Sequence, residues 1–261
     1  MNRPALPVGA LLRQWRQHRR LSQLDLACEA GISTRHLSFV ETGRARPSRA
    51  LLLHLAERLD LPLRERNRLL IAGGYAPRYS ERPLDDPALS AAREAIDQLL
   101  AAHEPNPALA IDRHWQLLAA NRCVAPLLAG LPEELLRPPI NVLRLGLHPQ
   151  GLAPRIRNLA QWRAHLLARL QRDLEVSADA RLGELLAELA GYPAPAGPTE
   201  PGGVLVPLQL DTPWGVLSLI STTTVFGTAV DVTLAELALE TFFPADEQSA
   251  RILRQLHGQR A

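Results

Sequence analysis

Lysine is missing from this 261-residue chain; all 29 basic residues are arginine. Together with abundant Ala, Leu and Pro, that is the mark of GC-rich coding and carries no functional weight. Cysteine is nearly absent. Cys28 and Cys123 stand far apart in apolar surroundings, too few for a disulfide framework or a four-ligand zinc site, and both are expected as buried small hydrophobes. No apolar run approaches the roughly 20 residues of a membrane span. Residues 1–10 lack the charged start and apolar stretch of a signal peptide. Both absences lead to the expectation of a cytoplasmic protein with no membrane span. The eight histidines are scattered, without His-x-x-x-His or Cys-x-x-Cys spacing. Neither a phosphate-binding P-loop nor a Gly-x-Ser-x-Gly elbow occurs. The chain is therefore expected not to be an enzyme and to hold no metal or cofactor.

What remains is ordinary globular composition, 46% hydrophobic and 21% charged, with a lopsided charge. Residues 1–82 carry fifteen arginines against seven acids, a net of +8, and the rest carries −6, which together give the formal +2. A basic first third joined to an acidic remainder points to a polyanion met by the first third alone.

Residues 8–73 read as five short helices. Ser22, Ser33 and Ser48 stand where N-caps belong, and Asp25 completes an approximate capping box with Ser22. Gly31 and Gly43 stand where helices end. Breakers between 73 and 87 mark a linker. The expected domains are thus 1–75, a linker over 76–87, and 88–261. In the last, helices are expected over 87–103, after an N-cap at Asn121, and over 154–175, 180–189 and 246–257. Strands are expected over 109–112, 115–120, 204–210, 214–226 and 232–242, with a Pro/Gly loop over 190–203 whose Gly202-Gly203 precedes a strand and so does not cradle phosphate. The fold class is an all-α five-helix domain followed by an α+β domain.

The helix after Ser33 divides into two faces. Leu37 and Val40 turn inward onto Leu24, Ala27 and Ile32, while Thr34, Arg35, Ser38 and Phe39 form a stripe on the other side, where base-edge contacts arise in a helix-turn-helix. Arg35 suits a guanine O6/N7 pair and Phe39 a thymine methyl, with Thr34 and Ser38 reaching bases or phosphates. Gln23, at the start of the preceding helix, suits a phosphate, and the cap residues Ser22 and Ser33 join it as DNA-binding candidates. Arg44, Arg46 and Arg49 suit the flanking backbone.

The string LSQLDLACEAGISTRHLSFVETGRARPS resembles the helix-turn-helix of the XRE (Cro/C1-type) regulators through Ser22-Gln23, Leu26-Ala27, Gly31-Ile32-Ser33, Leu37-Ser38, Glu41-x-Gly43 and Pro47-Ser48. The resemblance implies duplex DNA as partner, assigns Gln23, Thr34, Arg35, Ser38 and Phe39 to the DNA face, and implies that Arg16 pairs with Glu41. From about residue 88 the chain resembles the PAS-like ligand-binding domain of MmyB-like regulators, in IDRHWQLLAANRCVAPLL, LRLGLHPQGLAPRIRNLAQWRAHLLARL and DVTLAELALETFFPADEQSA. That resemblance implies a small apolar effector of fatty-acid type. Trp115, Trp162 and Trp214 are candidates to line its pocket, and Arg157 or Arg163 to meet a carboxylate. A homodimer is expected, since two-fold operators mirror two-fold proteins. The alternative is a DNA-anchored protein-interaction module without a small-molecule ligand.

Overall fold

The computed structural model describes residues 6–193, 195, 197 and 205–258. The chain divides into two compact units. Residues 1–82 form one together with 229–235, and residues 83–228 with 236–261 form the other. The stretch 76–87, read from its breakers as a linker, is shared between them at Arg82.

The first unit holds α1 (Val8–His18), α2 (Gln23–Glu29), α3 (Thr34–Glu41), α4 (Arg49–Arg58) and α5 (Leu63–Ala72). Three of these five starts are capped by serine. Ser22 Oγ accepts the Asp25 N–H at 3.1 Å while Asp25 takes the Ser22 N–H at 2.8 Å, a closed capping box. Ser33 and Ser48 cap α3 and α4 by accepting from His36 and Leu51. After α3 the backbone turns into the left-handed region at Gly43, φ 74°, which a side chain would strain. The helices close on a core in which Leu12, Leu26, Leu37, Val40, Leu52 and Leu55 are fully buried. Leu24, expected inward, is 66% exposed, and Leu26 fills that place. The phase of α2 puts 26 and 27, not 24, on the covered side. Cys28, expected buried, is exposed for the same reason, and Cys123 is only half-buried.

After α5, the buried Asn67 side chain holds the chain in place. Its Oδ1 accepts from the Arg78 and Tyr79 N–H groups and its Nδ2 donates to the Tyr79 carbonyl. Ser80 then bridges Asp231, and the Val232 N–H donates to the Ser80 carbonyl at 2.8 Å. This distant segment, with the one-turn α11 (Val232–Ala235), buries Val232 completely.

The second unit is α+β. Its helices are α6 (Ser90–Ala102), α7 (Glu133–Leu136), α8 (Val142–Leu147), α9 (Leu159–Ser177), α10 (Ala180–Ala190) and α12 (Glu247–Gly258). The strands β1 (Ala108–Ile111), β2 (Leu117–Ala120), β3 (Leu208–Thr212), β4 (Gly215–Val225) and β5 (Ala238–Pro244) form one antiparallel sheet in the order β2-β1-β5-β4-β3. The strand expected over 232–242 is thus split, its first residues forming α11. The helix expected after Asn121 shrinks to a 3-10 turn, Ala125–Leu128. The buried Asn121 side chain donates to the Leu100 and Asn106 carbonyls and accepts from the Ala108 N–H and, at 3.3 Å, from the Cys123 N–H two residues on. Most of the Pro/Gly loop, Gly202-Gly203 and Val204 included, lies outside the described residues. No described helix is long and apolar enough to cross a membrane.

Candidate functional site

Two regions have the makings of a site, one in each unit. In the first, α3 presents the stripe expected of it. Arg35 is exposed, Thr34, Ser38 and Phe39 are half-buried, and Leu37 and Val40 face the core. The Arg35 guanidinium lies 5.3 Å from the Phe39 ring centre, one helical turn apart, so the aromatic face holds the cation at the surface. Ser22 and Ser33 are exposed but committed as caps. Arg44 and Arg46 are exposed in the loop after α3, with Arg46 stacked 6.0 Å from the Tyr75 ring.

Beneath the stripe lies a buried ion pair. Arg16 donates from Nε to Glu41 Oε1 at 2.7 Å and from Nη2 to Oε2 at 3.0 Å, joining α1 to the end of α3. Hydrogen bonding to Glu41 raises the Arg16 pKa against the cost of burial, and the carboxylate's charge adds to it. Gln23, assigned to a phosphate, has its amide engaged here, donating to Glu41 Oε2 at 2.8 Å. What Gln23 still offers an anion is its backbone N–H at the start of α2.

The second region is a cavity inside the α+β unit, bounded by β1, β4, β5, α8 and α9. Its volume is about 120 Å³, small beside the roughly 300–1,000 Å³ of ligand-holding pockets. Leucines dominate its walls, with Val142, Trp115, Trp162 and Phe242. Trp115 sits in the turn between β1 and β2 at φ 63°, a conformation that costs a bulky residue and aims its ring inward. Its Nε1 donates to Asp173 Oδ2 at 3.1 Å.

One end of the cavity is polar. Arg169 on α9 lies 4.4 Å from the Trp115 ring centre and grips Glu240 on β5 through both terminal nitrogens, Nη1 to Oε2 at 2.9 Å. Thr223 on β4 donates to the same carboxylate at 3.0 Å. Burial acts to lower the Arg169 pKa, but the hydrogen bonds and charge of Glu240 outweigh it and the net shift is upward. Burial pushes the Asp173 carboxyl up, although Arg169 and the Trp115 N–H oppose it. Arg169 is the one basic residue among the described residues lining the cavity.

Of the five residues assigned to an effector, Trp115 and Trp162 line this cavity and three lie elsewhere. Trp214 is 38% exposed at the β3–β4 turn. Arg157 precedes α9 and pairs with Asp211 at 2.6 Å on the surface. Arg163 donates to the carbonyls of Leu189, Ala190 and Tyr192. The residues that sequence reasoning passed over are Arg169, Glu240 and Asp173. A signal for two of them existed: Trp162, Leu166, Arg169 and Asp173 are spaced 4, 3 and 4 apart, one face of a single helix. Arg163, beside Trp162 in sequence, is turned about 100° away.

These features define a class: a helix-turn-helix unit combined with an α+β unit built around an apolar cavity. A helix-turn-helix family model matches residues 7–69, and the model of the MmyB-like transcription regulator ligand binding domain matches residues 92–256. The chain belongs to the MmyB-like transcription regulators. Similar proteins include HTH-type transcriptional regulators of Mycobacterium bovis and of two strains of Mycobacterium tuberculosis, each 33% identical over 114 residues. That match covers 41% of this chain and 38% of each relative's length.

Proposed function

We propose that this protein is a cytoplasmic one-component regulator. It reads a duplex operator through α3 and holds a small apolar effector of fatty-acid type in the cavity. The observation that carries the effector half is the cavity itself: nearly all its wall is hydrocarbon, and its polar groups gather at one end around Arg169. An acyl chain fits the first and a head group the second. Two of the five guanidinium N–H groups of Arg169 are taken by Glu240, leaving donors for a carboxylate oxygen. On the DNA half, Arg35 reads a base edge and Arg44 and Arg46 hold phosphates. The acting species is a homodimer, because one helix reading a few base pairs binds weakly. An effector regulates by preferring one arrangement of the paired DNA units, since equal affinity for both shifts nothing.

Two experiments test this. A binding selection on random duplex DNA should return a two-fold symmetric motif; a motif without symmetry rejects the dimer, and no enrichment rejects sequence reading. For the effector, saturated fatty acids of increasing length are titrated against tryptophan fluorescence. At about 0.8 kcal/mol per buried methylene, affinity should rise about fourfold per carbon until the cavity is full, and Leu166→Trp should abolish binding by filling it. A flat series, with nothing extracted by solvent from the purified protein, would leave the second unit as a protein-docking module instead.

A further inference from the structure

Away from both sites, three metal-ligating side chains converge from three places in the fold. Glu104 follows α6, Cys123 lies between β2 and the 3-10 turn, and His257 stands in the last turn of α12. One carboxylate oxygen, one sulfur and one ring nitrogen all lie within 4.8 Å of one another. Cys123 Sγ is 3.7 Å from His257 Nδ1, and that nitrogen is 3.8 Å from Glu104 Oε2. A tetrahedral zinc ion, about 2.3 Å from sulfur and about 2.0–2.1 Å from nitrogen and oxygen, sets sulfur and nitrogen about 3.6 Å apart and nitrogen and oxygen about 3.3 Å apart. The sulfur–nitrogen edge thus matches a metal's own, the nitrogen–oxygen edge is about half an ångström long, and all three atoms lie within 4.8 Å of one another. All three side chains are half-buried, and Pro105, Pro126, Leu253 and Leu256 line a small cleft with Cys123 and His257.

Arg122 supplies the surrounding layer. Its Nε donates to Glu104 Oε2 at 2.6 Å, orienting the carboxylate as outer-layer partners of a metal ligand do. Its Nη2 lies 3.1 Å from His257 Nε2; with Arg as donor, the ring proton sits on Nδ1, facing the sulfur and the carboxylate. A cation taking Nδ1 sends that proton to Nε2, and Arg122, with its side chain 53% exposed, turns Nη2 away from the ring while its Nε keeps Glu104.

We infer that Glu104, Cys123 and His257 form a three-ligand site for a thiophilic divalent cation of the zinc type, with a fourth position left to water. On binding, the Sγ–H bond breaks, the proton leaves to solvent, and the sulfur–metal bond forms. The ion ties α12 to the junction of α6 and β1. Ile252, Leu253 and Leu256 of α12 share one hydrophobic core with Trp115 and Trp162, so the clamp stiffens the body that contains the cavity.

The test uses the full chain, stripped with a chelator and dialysed into metal-free buffer. Zinc titrated against a chromophoric chelator should bind at one equivalent per chain and raise the melting temperature. Cobalt(II) in its place should give a thiolate-to-cobalt charge-transfer band that disappears in Cys123→Ser and persists in Cys28→Ser. His257→Ala and Glu104→Gln should each weaken zinc at least about tenfold, no less than loss of an outer-layer partner does. In the unsubstituted protein, zinc should shield Cys123 from alkylation and leave the rate at Cys28 unchanged, a readout independent of how the variants fold. Substoichiometric zinc, a band that survives Cys123→Ser, unaltered affinity in His257→Ala, or no shielding of Cys123 would each overturn the site.

Discussion

Replacing Glu41 by alanine should strongly destabilise the first unit. The carboxylate accepts three hydrogen bonds, two from Arg16 and one from Gln23, and its side chain is 1% exposed against 9% for Arg16. Without it Arg16 keeps one carbonyl, that of Leu21 at 2.7 Å, and its buried charge has no counter-charge. Breaking a buried pair in this way costs about 3–5 kcal/mol. In a unit of this size each kcal/mol lowers the melting temperature by about 4–8 °C, so a fall of at least about 12 °C is expected. Removing both partners is a different perturbation. Arg16→Met with Glu41→Leu strands no charge and should return stability to within about 1 kcal/mol of the parent, or above it. Hydrogen exchange at the amides of α1 and α3 in the full chain, with urea denaturation followed by circular dichroism, reads the stability of this unit. If Glu41→Ala costs less than about 1 kcal/mol, or the double variant is no better than the single, the pair does not hold α3 in place.

At Gly9 an added Cβ would lie 2.4 Å from the Val40 carbonyl oxygen and 2.6 Å from that of Glu41. Gly9→Ala should therefore lose about 1–3 kcal/mol despite a helix-propensity gain of about 1 kcal/mol; a higher melting temperature would contradict the contact. Arg35→Ala should relax preference at one base position at a cost of about 1–3 kcal/mol, whereas Arg44→Ala should weaken all sequences alike and reduce the salt slope by about one. Competition binding across operator variants separates the two, and exchanged phenotypes would reverse the assignments. His165, stacked on Trp162, has its pKa lowered from 6.5 by burial first and then by Arg169 and Arg172. Below that value the unfolded chain takes up the proton before the folded one does, so stability contributed above pH 6.5 is lost as the pH falls through the folded pKa. His165→Phe should flatten that part of the stability–pH curve, and an unchanged slope would remove His165 as its source. A fragment ending at Arg82 lacks the 229–235 segment and with it the buried Val232, worth about 1.5–3 kcal/mol. Its hydrogen-exchange stability should fall below that of the same helices in the full chain; equal protection would make the segment a passive neighbour.

Local chemistry alone determined most of the first unit. Its helix starts are written in single residues, Ser22, Ser33 and Ser48, and its polar stripe in the four positions from Thr34 to Phe39, because capping and helical phase act over three or four residues. The same short range makes the α9 face readable in principle, since Trp162 and Arg169 need only the period of a helix to share a side. Period alone did not say which way α2 faces, and Leu24 and Leu26 exchanged places once α3 and α4 chose the surface to cover. What tertiary structure decided is every pairing over a long stretch of chain. Arg169 meets Glu240 seventy-one residues away, residues 229–235 join a unit that otherwise ends at Arg82, and Glu104, Cys123 and His257 meet across 153 positions of sequence. Such contacts depend on how strands and helices are threaded together, and nothing within a few residues of either partner announces them.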